Sequence, residues 1–80
     1  MLTPNLCRAA RHLIGWKQED LAEKSELAVN TIRMFEGGKT KPHKSTLKLL
    51  RETFEAAGIE FLIRDGRGVG LQFRVGYGET

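Results

Sequence analysis

A single cysteine, Cys7, stands in the 80 residues, so no intrachain disulfide can form. The two histidines, His12 and His43, lie far apart, and neither stands at a metal-ligand spacing from Cys7. Cys7 is therefore expected to be a small core or flank residue, and no metal or other cofactor is implied. No apolar run approaches the roughly 20 residues of a membrane span. The opening Met1-Leu2-Thr3-Pro4 lacks the charged and apolar regions of a secretion signal. A cytoplasmic chain with no membrane role is expected. No Ser/His/Asp set, metal cluster or carboxylate pair in a plausible cleft points to an enzyme. So short a chain holds one core and leaves little volume for a separate ligand pocket. Its stability margin is thin, which favours help from dimerisation.

What is present is asymmetric charge. Residues 1–51 carry ten Lys/Arg against five Asp/Glu, and residues 52–80 carry three against five. A basic module favours a polyanion through counterion release, although many solvated helix faces are basic too.

Hydrophobic spacing divides the chain. Thr3 then Pro4 is a helix start, a side-chain oxygen at the cap followed by a preset φ. Leu6, Ala10, Leu13 and Ile14 recur at helical spacing up to Gly15, predicting a first helix over 4–14. A second is predicted over 18–24, with Glu19 and Asp20 in its first turn and Leu21 and Ala22 inward. Residues 25–28 read as a tight turn. A third helix is predicted over 29–36, with Ile32 and Phe35 inward and Gly37-Gly38 as its stop. After the basic loop 39–43 comes a fourth, over 44–57, with Leu47, Leu50, Phe54 and Ala57 inward, Ser45 as a candidate cap and Gly58 as terminator.

The period then changes from 3.6 to 2. Ile59, Phe61 and Ile63 alternate with Glu60 and Leu62, and Val69, Leu71, Phe73 and Val75 alternate with Gly70, Gln72 and Arg74. Two such runs around 64–68 predict a β-hairpin over 59–75, part of the same domain, with 76–80 as a frayed tail. The glycines at 66, 68 and 70 are read as turn residues, because no helix follows them to make a phosphate loop.

Residues 18–37 meet the needs of two helices crossing steeply. Ala22 permits close approach, residues 25–28 make a short turn, and Leu21, Leu27, Ile32 and Phe35 are the inward anchors. The run Gln18-Glu19-Asp20-Leu21-Ala22-Glu23-Lys24, then Thr31-Ile32, Phe35-Glu36-Gly37-Gly38-Lys39 and Pro42, resembles the Cro/C1-type, or Xre-like, helix-turn-helix family. The resemblance covers about residues 5–57. It implies a mainly α, four-helix, lambda repressor-like DNA-binding domain over 1–58 that carries the short hairpin behind it. It also implies roles. Gln18 would bond a phosphate and brace the third helix. Val29, Asn30, Arg33 and Met34 would face outward on the recognition helix, and Thr31 would touch backbone or base. Gly38, Lys39, Thr40 and Lys41 would lie along the phosphates. Arg11 and Glu36 match a structural ion pair. Lys17 departs from the Ser, Thr or Asn usual before Gln18, and Glu26 stands where the turn usually has Gly.

Side-chain chemistry is consistent with these roles. Asn bonds adenine bidentately, Val touches a thymine methyl, and Arg33 suits guanine or a phosphate. Lys39 and Lys41 suit positioning contacts that carry no sequence information. Trp16 could stack on a base, but its place after the first helix fits packing better. A lone hairpin is marginal in water, so the face of Ile59, Phe61, Ile63, Leu71 and Phe73 is expected to cover the fourth helix. Its edges are expected to pair with a second copy. The leading expectation is a transcriptional repressor binding a palindromic operator in double-stranded DNA as a homodimer. The alternative is the antitoxin of a toxin–antitoxin pair, whose C-terminal segment binds the toxin.

Overall fold

The computed structural model describes residues 2–73, so the expectations for Arg74, Val75 and 76–80 lie outside the described residues. Four helices come first: α1 (Pro4–Leu13), α2 (Gln18–Ser25), α3 (Val29–Glu36) and α4 (Lys44–Ala56). A hairpin of β1 (Ile59–Arg64) and β2 (Arg67–Phe73) follows. This is the expected mainly α domain with a short hairpin.

The helix ends obey local rules. Thr3 Oγ1 accepts the Leu6 N–H at 3.1 Å, and Pro4 opens α1. Lys17 offers α2 no side-chain cap. Instead the Asp20 carboxylate reaches back to the Lys17 N–H at 2.8 Å, so the third helical residue does the capping. Ser45 does not cap α4, contrary to expectation. His43, held extended, is the cap residue, its carbonyl accepts the Thr46 and Leu47 N–H groups, and Ser45 lies in the first turn.

Helices α1, α2 and α3 close on one device. A residue at positive φ lets the following N–H reach back to a carbonyl five residues earlier: Trp16 to Arg11, Leu27 to Ala22, Lys39 to Met34. At two of these ends the left-handed residue is glycine, Gly15 and Gly38. At the end of α2 it is Glu26, φ 61°. The departure from glycine therefore leaves the turn shape unchanged and is accommodated as backbone strain.

The core lies between the helices and the base of the hairpin. Leu21, Ile32, Leu50, Phe54 and Ile59 are fully buried, joined by Cys7 and Ala10 of α1 and by Leu2 ahead of it. Trp16 stacks on Phe54, ring centres 5.8 Å apart, and Phe61 meets Phe54 edge-on at 6.1 Å. Trp16 is thus a packing residue. Leu13, expected inward, is 41% exposed, because it sits on the flank of the last turn of α1 beyond Ala10 and Ile14.

The hairpin turn is tighter than 64–68. Arg64 pairs with Arg67 across Asp65-Gly66, both at positive φ, as a two-residue turn requires. The register slips between Leu62 and Ile63, which pair with Gly70 and Gly68, so Val69 is an extra residue in β2. The expected covering face is incomplete. Ile59 is buried and Phe61 and Leu71 half-buried, while Ile63 and Phe73 are exposed. Only the base of the hairpin packs on the helices.

Glu26→Gly should relieve the strain at the end of α2. A gain of about 0.5–1 kcal/mol in urea denaturation is expected, and no change or a loss would contradict this account of the turn.

Candidate nucleic-acid interface

The site begins with which side of α3 is used up. Ile32, Phe35 and Glu36 are buried, and that leaves Asn30, Thr31, Arg33 and Met34 exposed on the opposite side. Val29, expected outward, is half-buried and packs partly on the core, at the first residue of the helix. Asn30, Thr31 and Met34 border an open recess of about 380 Å³ whose other wall is Thr40, Pro42, His43 and Thr46. The end of the basic loop and the first turn of α4 are therefore beside the outward face of α3. Lys39, Thr40 and Lys41 are exposed. The amides of Gly37, Gly38 and Lys39 all turn back to carbonyls of α3. Any anion held along that stretch is met by side chains and not by those amides.

Behind this face Glu36 is only 3% exposed, and its carboxylate is the convergence point of three helices. Arg11 of α1 grips it with two nitrogens, Nε on Oε2 and Nη2 on Oε1, each at 2.7 Å. Gln18, the first residue of α2, donates to Oε1 at 3.1 Å. The Cys7 thiol donates to Oε2 at 3.2 Å. Arg11 also donates through Nη1 to the Trp16 carbonyl at 3.1 Å. Arg8 donates to the main-chain carbonyl of Glu36 at 2.5 Å and through its other nitrogen to the Asn5 side chain.

The ionisation states follow. Burial pushes the Glu36 carboxyl up, but the hydrogen bonds from Arg11, Gln18 and Cys7 and the guanidinium charge outweigh it. The group is held below the ordinary glutamate value. The bond to Glu36 likewise outweighs burial at Arg11 and raises its affinity for the proton. Burial first, then the bond to Glu36, pushes the Cys7 thiol far up, so it is a hydrogen-bond donor and not a reactive thiolate. Among the described residues no group of His, Cys, Asp and Glu could hold a metal ion, and no helix is long and apolar enough to cross a membrane.

The structure thus joins Arg11, Gln18 and Glu36 in one network and sets Asn30, Thr31 and Met34 beside Thr40, while Arg33 and the two lysines extend freely around them. Sequence reasoning missed Cys7 and Arg8 as partners of Glu36. For Cys7 the available signal was spacing, since it lies one turn before Arg11 on α1.

A helix-turn-helix family profile matches residues 8–60, about two thirds of the chain. The chain belongs to the Cro/C1-type helix-turn-helix family. It is a DNA-binding transcriptional regulator, and the family is a regulatory and not an enzymatic one. No curated relative matches the chain at a significant level.

Glu36→Gln leaves the Arg11 charge buried without its partner and should destabilise the fold by about 3 kcal/mol. The sign of the pH effect follows from the lowered folded value. The stability supplied by ionised Glu36 is complete above the unfolded glutamate value of about 4.3 and is lost as pH falls from there through the folded value. Urea titrations of both forms between pH 7 and pH 2 should therefore converge at the acid end. A constant gap would contradict the assignment.

Proposed function

We propose that the protein reads a specific operator, with α3 in the major groove, and represses transcription there as a homodimer on a palindromic site. The observation that carries this reading is the division of α3 into a locked side, Ile32, Phe35 and Glu36, and an exposed side, Asn30, Thr31, Arg33 and Met34. Asn30 and Arg33 are base-reading candidates with a hydrogen-bonding repertoire suited to adenine and guanine. Met34, Thr31 and the uncovered part of Val29 add apolar contacts such as those to thymine methyls. Gln18, Lys39, Thr40 and Lys41 grip phosphates on either side, Gln18 while braced by Glu36. A cytoplasmic location fits this reading in a cell whose genome lies in the cytoplasm.

The homodimer reading is supported by the hairpin. Leu62, Ile63 and Phe73 are 38–44% exposed, on a two-stranded sheet that is marginal alone. Phe73 borders an apolar recess with Leu13, Ile14, Trp16 and Ala57. Two copies joined there would present their recognition helices about one DNA turn apart. The same exposed side chains also support the second reading, an antitoxin whose hairpin is covered by its toxin. A toxin gene beside this one would favour that reading.

Selection of bound sequences from a random duplex pool should enrich a palindrome, and Asn30→Ala should lose preference at one position in each half. Uniform weak binding would sink the operator reading, and an unchanged motif in the variant would sink the role of Asn30. Light scattering should find a dimer at micromolar concentration, dissociated by Leu62→Lys with Ile63→Lys. A monomeric parent chain would refute self-association.

A further inference from the structure

A two-turn helix such as α3 is marginal by itself, about 12 Å of chain with few internal hydrogen bonds. Its cap residue is Ala28, which offers no side-chain bond. Its orientation must come from the helices behind it. The Glu36 carboxylate supplies one anchor, held by Arg11. That anchor, with Ile32 and Phe35 in the core, holds α3 through side chains alone.

Arg8 supplies a second. It lies one turn before Arg11 on α1, so both guanidiniums leave the same side of that helix. Arg11 takes the side chain of Glu36, and Arg8 takes the main-chain carbonyl of the same residue. That carbonyl belongs to the last residue of α3, where the helix dipole is negative and carbonyls lack helical partners. The Asn5 carboxamide oxygen receives the other nitrogen of Arg8 and fixes its rotamer. Together Asn5 and Arg8 face Glu36, Gly37 and Gly38 across an open cleft of about 320 Å³.

We propose that Arg8 is a positioning residue for DNA recognition: with Arg11 it clamps Glu36 by main chain and side chain, fixing the rotation and axial position of α3. The proposal rests on the reading of α3 as the helix that meets the bases. Its consequence is geometric. A rotation of about 10° moves a side-chain tip by about 1 Å on a helix of ~5–6 Å radius, enough to misalign a bidentate contact to a base edge. A phosphate contact from a flexible lysine absorbs such a shift.

The test compares Arg8→Gln and Arg8→Lys with the parent chain by two readouts. Without DNA, amide exchange at Gly37, Gly38 and Lys39, whose N–H groups close the end of α3, should quicken several-fold in Arg8→Gln. It should recover in Arg8→Lys, which keeps one donor. The Leu27 amide, which closes α2, should not change. With DNA, Arg8→Gln should lose about fivefold on the selected duplex, while affinity for an unrelated duplex and the salt slope stay as in the parent. Unchanged exchange at Gly37–Lys39 overturns the clamp. So does an equal loss on both duplexes with a slope smaller by about one, which would make Arg8 a phosphate contact. Should the parent chain itself bind both duplexes alike, the operator reading falls, and the exchange comparison decides the clamp.

Discussion

The buried carboxylate of Glu36 is the constraint on which the arrangement of the first three helices depends. An ionised group so far from water is tolerable only when every lone pair is used. Here the partners come from Arg11 and Cys7 on α1 and from Gln18 on α2. Each helix is answerable to the others through one group. No buried side-chain nitrogen or oxygen among the described residues lacks a partner, so the network is complete and not half-satisfied. Stability alone would not require it, because an apolar cluster of the same volume serves as well. What the ion pair adds is direction. Ile32 and Phe35 hold α3 against the core but permit sliding and rotation. The bonds to the Glu36 carboxylate from α1 and α2 restrict that movement.

Much of the fold was legible because its signals are local. Thr3-Pro4, the acidic first turn of α2 and the Gly37-Gly38 stop depend only on neighbours within a few residues, and α3 spans the expected Val29–Glu36. Glu26 shows the limit of that reading. A glycine was the familiar way to turn left-handed, yet the backbone takes the same shape with glutamate. Ser45 was misread because Ser is a good cap in isolation. The chain before it sets the helix to begin at Lys44, one residue earlier. The hairpin face was overcounted for a different reason. A period-two pattern cannot reveal an extra residue in one strand, and the slip at Leu62/Ile63 takes Ile63 out of the expected stripe.

The site was legible where it follows a motif and obscure where it depends on long-range contacts to the main chain. That Asn30 and Arg33 are exposed follows from helical phase once α3 is placed. The contact of Arg8 does not, because its partner is a carbonyl 28 residues away and carbonyls leave no mark in a sequence. Cys7 reads as a small core residue, and it is one, but its thiol also completes the Glu36 network. Val29 lies at the junction of the two regimes. At the first residue of a short helix, the position lies half in the core and half out of it.

The exposed side of α3 and the hairpin are joined by a chain of contacts. Arg11 holds Glu36 with two nitrogens and the Trp16 carbonyl with the third. The Trp16 ring stacks on Phe54 of α4, and Phe54 meets Phe61 of β1. Ile59, fully buried, ties the foot of the hairpin into the same core. The hairpin is consequently no detachable arm, since cutting the chain before it removes core. If two copies join through its outer part, the separation of their recognition helices is set by this packed path and not by a flexible linker. A rigid path permits little adjustment to operators of altered half-site spacing. Discrimination between sites would then rest on spacing as well as on base contacts, and both would trace to Arg8 and Arg11, which join α1 to Glu36.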